Sequence, residues 1–418
     1  MKTMREEARQ IIDRAIQAVL PDEAVRRALH GKVFPGRVVL VAAGKASWQM
    51  AQAAHQCLGD RIDSGVVVTK YGHVKGPIAH FACYEGGHPV PDEYSFQGTQ
   101  AALNLVSALT EEDTVLFLLS GGGSALFEKP LISGAELQDV TNQLLASGAD
   151  IVEMNTIRKR LSAVKGGRFA QMCAPAHVFS VVLSDILGDP LDMIASGPAC
   201  PDPSTCAQAE AIAGKYGLKL SDTACGLLRQ ETPKRLNNVE SLVVGSVREL
   251  CSAASQVCRE LGYEPVMLTD QLRCQAREAG SFLASIAKSH ANSGKSLAFL
   301  AGGETVVRLT GHGKGGRNQE LALAAADGIS GLDNALVFSI GSDGTDGPTE
   351  AAGGIVDGQT ASALLKQGIQ IHRVLEENDA YHALEKVDGL VVTGPTGTNV
   401  NDVAVLLIRG EKFGVVAG

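Results

Sequence analysis

Residues 115–127 read V-L-F-L-L-S-G-G-G-S-A-L-F. The five apolar residues 115–119 suit a strand buried on both faces of a parallel sheet. Ser120 ends the run, and Gly121, Gly122 and Gly123 follow before Ser124. Successive glycines after a buried strand let backbone N–H groups come close to a ligand. At the carboxyl edge of a parallel sheet such a turn suits an anion, most often a phosphate. A tight strand-to-helix turn with no ligand is the plain alternative.

The same pattern occurs upstream. Residues 37–43 form a second apolar run, followed by Gly44-Lys45-Ala46-Ser47, and Trp48, Met50, Ala51, Ala54 and Leu58 then repeat at helical spacing. A P-loop would need Gly where Val39 stands and a hydroxyl where Ala46 stands, so that reading fails. What survives is Lys45 at a strand-to-helix junction, with a solvated helix-start lysine as the alternative.

Bulk properties narrow the class. A chain of 418 residues exceeds one ordinary core, so two or three domains are expected. With 45% apolar, 20% charged and only 4% aromatic residues, and 47 glycines, the core is one of Val, Leu, Ile and Ala joined by glycine turns, as in α/β proteins. A net charge of −9 argues against a nucleic-acid surface. No stretch approaches the ~20 apolar residues of a membrane span. The nine cysteines show neither paired nor metal-type spacing, and residues 1–19 lack the apolar core of a secretory signal. A cytoplasmic protein with reduced thiols is expected.

Further motifs fall at strand ends. Asn155, Arg158, Ser162 and Lys165, spaced three, four and three apart, would share one helical face with no acid in it. Such a row suits an anionic ligand or a carbonyl-rich loop, or is simply a solvated basic face. Residues 177–183 form an apolar strand ending in Ser184-Asp185-Ile-Leu-Gly188-Asp189. Carboxylates there sit where open α/β sheets bind ligands, and two could share a hard divalent cation, although Asp in a Gly/Pro loop is usually a turn former. His88, between glycines and prolines, reads first as a loop-fixing hydrogen bonder.

Residues 200–240 carry Pro201, Pro203, Pro233 and Asn237-Asn238 and are expected to hold a domain boundary, after which α/β alternation resumes. Residues 305–309 alternate like a half-exposed strand. Residues 311–316 formally match G-x-G-x-x-G, but with Lys314 inside the turn and Arg317 just after it. A lone fingerprint after a half-exposed strand is a weak dinucleotide signal. Carboxylate- and amide-rich loops follow strands at 335–340 and 389–393, and residues 403–408 are expected to close the sheet. Ionisable groups thus gather at strand ends in both halves, as expected of two α/β domains facing each other across a cleft.

Taken together, GKAS (44–47), SGGGSAL (120–126), N-x-x-R-x-x-x-S-x-x-K-G-G-R (155–168), LSDILGDP (183–190), IASGP (194–198), GGE (302–304), GGRNQE (315–320), SDGTDGPTEAAG (342–353) and GPTGTNVND (394–402) resemble the glycerate 2-kinases that carry a MOFRL domain. The resemblance implies a Rossmann-like parallel-sheet domain over 1–235 and a second α/β region over 236–418, with a smaller MOFRL domain at about 295–410. It places the active site in the cleft between them.

It also implies ATP-dependent phosphorylation of D-glycerate to 2-phosphoglycerate, with Mg²⁺ on the phosphates. Lys45 and Arg317 match the family's essential cations. The glycine turn, Ser120, Gly121, Gly122, Gly123 and Ser124, is expected to bind the nucleotide. Arg158, Lys165, Glu304, Asp343 and Asn399 are expected to contact substrate, Asp185 and Asp189 to lie near the metal, and Asp189 or Asp343 to handle the hydroxyl proton. Small-molecule partners only, and a monomer or homodimer, are expected. Some relatives carry a hydroxypyruvate reductase label, which makes NAD(P)H-dependent reduction the competing activity.

Overall fold

The computed structural model describes residues 2–410. They divide into two compact units, one spanning Pro21–Val244 and the other combining Met1–Leu20 with the chain from Gly245 onward. In the first unit β1 (Val38–Ala43), β2 (Ile62–Lys70), β3 (Phe81–Gly86), β4 (Thr114–Leu119), β5 (His177–Leu183) and β6 (Val239–Gly245) form one sheet in the order β3-β2-β1-β4-β5-β6. The first five strands run parallel. Alternate residues feed two cores. Val39, Val41, Val115 and Phe117 pack on one face, and Leu40, Leu116, Leu118 and Phe179 on the other. Burial on both faces is the reason these strands are apolar at every position.

Beside this sheet, helices Gly134–Ala146, Ile151–Arg160, Cys206–Tyr216 and Asp222–Leu228 enclose a separate cluster with Leu137, Leu144, Ile157 and Leu228. The Pro- and Asn-rich stretch 200–240 is therefore part of the first unit, and its last strand, β6, completes that unit's sheet. A division at 235/236 is corrected on both sides of the chain. The amphipathic helix Met4–Ala18, capped by a Thr3–Glu6 box, belongs to the second unit through buried Ala8, Ile11, Ile12 and Ala15. The break after it falls at residues 19–20, and Pro21 opens the next helix, where a missing N–H costs nothing.

The second unit holds β7 (Glu264–Leu272), β8 (Leu297–Gly303), β9 (Ala335–Gly341), β10 (Gly353–Asp357), β11 (Leu390–Val391) and β12 (Asp402–Ile408), in the order β11-β10-β9-β12-β8-β7. β12 lies antiparallel between β9 and β8, so the last strand fills the sheet's centre instead of its edge. Residues 305–309 form no strand. Val306 makes only an isolated bridge to Gln275, and the amides of Thr310 and Gly311 donate to Asn378 Oδ1 at 2.7 and 3.0 Å.

Candidate active site

The strand order of the first sheet reverses between β1 and β4, where Ala43 pairs with Leu119. In open α/β sheets the crevice beyond the carboxyl ends at such a switch point is where ligands bind. Gly44-Lys45 follows β1 and Ser120-Gly121-Gly122 follows β4, so both turns arrive side by side. They are tied together: Lys45 N donates to Gly121 O at 2.9 Å and Ala46 N to Ser120 Oγ at 3.1 Å. His73 Nδ1 lies 2.8 Å from Lys45 O, and Thr69 Oγ1 donates to Gly44 O at 3.0 Å. Lys45 is thus held through its backbone. Its half-buried ammonium makes no hydrogen bond or ion pair among the described residues.

Gly122 sits at φ 84°, a conformation that favours glycine. It precedes the short helix Gly123–Leu126. His88 Nε2 and Lys45 Cγ would each lie 3.1 Å from a Cβ built on Gly122. Asp185, at the end of β5, packs its carboxylate against Gly121. The glycine turn, Lys45, Asp185 and His88 therefore form one cluster.

Asp189 adopts φ 52°, and its Oδ1 is buried without a hydrogen-bond partner. Ser124 Oγ lies 3.1 Å from Ser196 Oγ, which donates to Asn155 Oδ1 at 2.9 Å. Arg158 donates to Ser124 O at 3.2 Å, while its buried Nε finds no acceptor and burial holds its basicity below the ordinary guanidinium range.

The expected helical row from Asn155 to Lys165 is not one face. The helix stops at Arg160, because Leu131 N bonds Leu161 O and Ala163 N bonds Lys129 O, drawing the chain away. Lys165 is fully buried and ion-paired to Glu128, with Phe127 O at 3.3 Å. Burial lowers its ammonium to about 8, opposed by the Glu128 charge. Lys165 is thus corrected from a substrate contact to an internal charge beneath the site.

In the second unit, Arg317 opens the helix Arg317–Gly328. Its Nε and Nη2 donate to Asp402 at 2.6 and 3.0 Å, and its Nη1 lies 3.1 Å from Glu304. Burial opposes the guanidinium charge, but the Asp402 hydrogen bond and the Asp402 and Glu304 charges outweigh it and raise the basicity. Asp346 caps this helix, accepting from Asn318 N at 3.2 Å and Gln319 N at 2.9 Å. Burial pushes its carboxyl up to about 7 against those donors. Asp343 Oδ1 accepts from Thr345 N at 3.0 Å, and exposed Asn399 accepts from Asn401 N at 3.2 Å. Asp402 and Asp346 went unassigned from sequence. Asp402 lies 85 residues from Arg317, a separation with no local signal.

The fingerprint-like glycines 311 and 313 do not form an open cradle. They lie against the backbone of Glu377 and against Asp379, and Gly313 N donates to Glu377 O at 2.8 Å. Among the described residues no three His, Cys, Asp or Glu side chains group as a metal site, and no helix is long and apolar enough to cross a membrane.

These features define a class: an α/β protein of two sheets, with a lysine-bordered glycine turn at the switch point of the first. Residues 7–229 match a family described as a domain of unknown function, DUF4147, and residues 297–402 match the MOFRL family. A D-glycerate 2-kinase of Thermotoga maritima is 52% identical over 97% of this chain and 99% of its own length. A crystal structure of glycerate kinase from that organism matches with a TM-score of 0.94 over 97% of this chain and 99% of that one. A glycerate 2-kinase of Pyrococcus horikoshii is 39% identical over 98% of each chain. An Agrobacterium vitis protein that carries a hydroxypyruvate reductase name is 39% identical over 97% of this chain and 94% of its own. The chain belongs to the glycerate 2-kinase family with a MOFRL domain.

Proposed function

We propose that this chain transfers the γ-phosphoryl group of ATP to the 2-hydroxyl of D-glycerate, giving 2-phospho-D-glycerate and ADP. The observation that carries the reading is the glycine turn tied directly to the Lys45 turn at the switch point of a parallel sheet. Phosphoryl transfer needs positioning and charge neutralisation more than covalent help. The backbone of Gly121, Gly122 and Gly123, with Ser120 and Ser124, cradles the nucleotide phosphates. Lys45 neutralises charge on the moving group, and Arg158 serves the substrate carboxylate or a phosphate.

In the second unit Arg317 serves as the other cation. Its Asp402 edge stays fixed, while its edge toward exposed Glu304 exchanges for an anionic substrate. Asp343 and Asn399 belong to the same substrate-binding reading.

The buried, partnerless Oδ1 of Asp189 fits a hard cation that arrives with the nucleotide, so Asp189 and Asp185 are the residues that would hold Mg²⁺. That ion supplies charge neutralisation on the phosphates. The nine cysteines are free thiols, in keeping with a reducing compartment such as the cytoplasm.

Hydroxypyruvate reduction is the weaker reading, because the only dinucleotide-like glycines pack against Glu377 and Asp379. A coupled assay of ADP release, with D-glycerate, L-glycerate and hydroxypyruvate as acceptors, tests the proposal alongside NAD(P)H absorbance with hydroxypyruvate. ADP release that depends on D-glycerate and falls ~10³-fold in Lys45→Ala is expected for loss of a cation at such a site. Nicotinamide consumption without ADP release would overturn it.

A further inference from the structure

His88 stands at the glycine turn. Its Cδ2 and Nε2 would lie 3.0 and 3.1 Å from a Cβ on Gly122, beside the Lys45 stem. The ring is half-buried, yet it makes no hydrogen bond among the described residues. A histidine kept to fix its loop would be bonded. Here the loop is fixed by others: Asp92 accepts from Tyr71 Oη at 2.6 Å and Ser95 N at 3.0 Å, and Glu85 accepts from Val74 N at 2.9 Å.

The groups facing the ring favour its neutral form. Burial acts first, followed by the charges of Lys45 after β1, Lys70 at the end of β2, and His73 in the next turn; together they hold the imidazole below its usual 6.5. Asp185, after β5, brings its carboxylate against Gly121 of the same turn. A neutral imidazole with an unused ring nitrogen is a proton acceptor at neutral pH. Two aspartates of the expected site are engaged otherwise. Asp343 Oδ1 accepts from Thr345 N, and Asp189, whose buried Oδ1 has no hydrogen-bond partner, is assigned to the cation above.

We propose that His88 is a catalytic residue, the acceptor of the proton that leaves the substrate hydroxyl. The proposal rests on reading Lys45 and the glycine turn as the phosphoryl-transfer site. The hydroxyl oxygen bonds to the γ-phosphorus as the bond from that phosphorus to the β,γ-bridging oxygen breaks. The electron pair of the broken bond leaves with ADP. The hydroxyl proton passes to the ring nitrogen, and the imidazolium returns it to solvent.

The test measures D-glycerate-dependent ADP release from pH 5 to 9 for the native chain, His88→Gln, His88→Asn and Lys45→Ala. Two His88 variants are used so that one of them folds, and melting and ATP binding are recorded for each. For the native chain, kcat/KM falls on the acid side with an apparent pKa below 6.5. In the folded His88 variants kcat drops ~10²-fold or more and that acid limb disappears, with ATP binding unchanged. Activity within threefold of native, or a reduced activity that keeps the same acid limb, overturns the assignment. If Lys45→Ala is inactive while His88→Gln is native-like, the site stands without this base; if both are native-like, the site itself is wrong.

Discussion

Replacing Arg317 by lysine separates charge from geometry. The guanidinium works on two edges. Nε and Nη2 grip Asp402, whose side chain is 8% exposed, while Nη1 meets Glu304, whose side chain is 49% exposed. A lysine keeps the charge but offers one ammonium where the fork offers two edges. It will settle on Asp402, because a buried carboxylate left without a cation is the costlier defect. One charge-assisted hydrogen bond of the pair is then lost, at about 1.5–3 kcal/mol. Losing the exposed Glu304 contact adds at most about 1 kcal/mol. A total of about 1.5–4 kcal/mol corresponds to a fall of roughly 3–16 °C in the second unit's melting temperature. On the role proposed for Arg317 the catalytic effect is larger, because lysine leaves no second positive edge for an anionic substrate. A fall in kcat of ~10² to 10³ is expected from the worth of such a cation in phosphoryl transfer. The assay is ADP release at saturating ATP with varied D-glycerate, run well below the measured melting temperature. If Arg317→Lys stays within about threefold of native kcat, the two-edged grip is irrelevant and Arg317 acts only as a diffuse charge.

Two further outcomes follow from the first unit. Gly122→Ala forces a Cβ onto a φ of 84° and against His88 and Lys45 at 3.0–3.1 Å. It should cost about 1–2 kcal/mol in stability and, by shifting both side chains, lower kcat ~10²-fold; unchanged kcat with a normal melting curve would show that the turn does not set their positions. Asp202 is held below the ordinary carboxylate range: burial raises it, but the hydrogen bond from Thr232, the Lys159 charge and the Ser204 amide outweigh that. A depressed folded value means stability that is present above the usual 3.8 and lost as pH falls through the folded value. Asp202→Asn leaves Lys159 and Arg160 buried with only Asp192 at 3.2 Å and Glu231 at 3.4 Å as carboxylate partners. A loss of about 3 kcal/mol at neutral pH is expected. A urea midpoint that does not move, or an unaltered acid transition, would contradict it.

What the sequence revealed follows where the physics is local. β1, β4 and β5 were visible because burial on both faces makes them apolar at every position, and the turns after them were marked by glycine. β3 was missed because its half-exposed edge residues, F-A-C-Y-E-G, make neither a run nor a clean alternation. Residues 305–309 alternate like a strand, but their neighbours Thr310 and Gly311 are held by Asn378, some 68 residues away. Lys159 and Arg160 carry no sequence signal of burial. Asp202, 43 residues from Lys159, turns them inward, and no pattern near residue 160 announces it. His88 was read as a bonded loop residue because its sequence neighbours are turn formers. Only the coordinates show that Asp92 and Glu85 already do that work.

The distribution of carboxylate partners separates structural from chemical cations. Lys159, Arg160 and Lys165 are all buried, and each has an acid within ion-pair distance: Asp202 for the first two and Glu128 for the third. Their charges are spent inside the fold. Among the described residues Lys45 has no acid within ion-pair distance, and Arg158 bonds Ser124 O while its buried Nε is unbonded. Both flank residues 120–126, where the glycine turn contributes backbone donors and no carboxylate except Asp185 at its edge. An acidic protein of net charge −9 thus brings Lys45 and Arg158 to one strand-end crevice. Holding two cations there without a direct ion pair of the kind that fixes Lys159, Arg160 and Lys165 costs stability. That cost is offset only when an anion fills the crevice. The imbalance, more than any single motif, is why the glycine turn reads as a phosphate site and not as a tight turn alone.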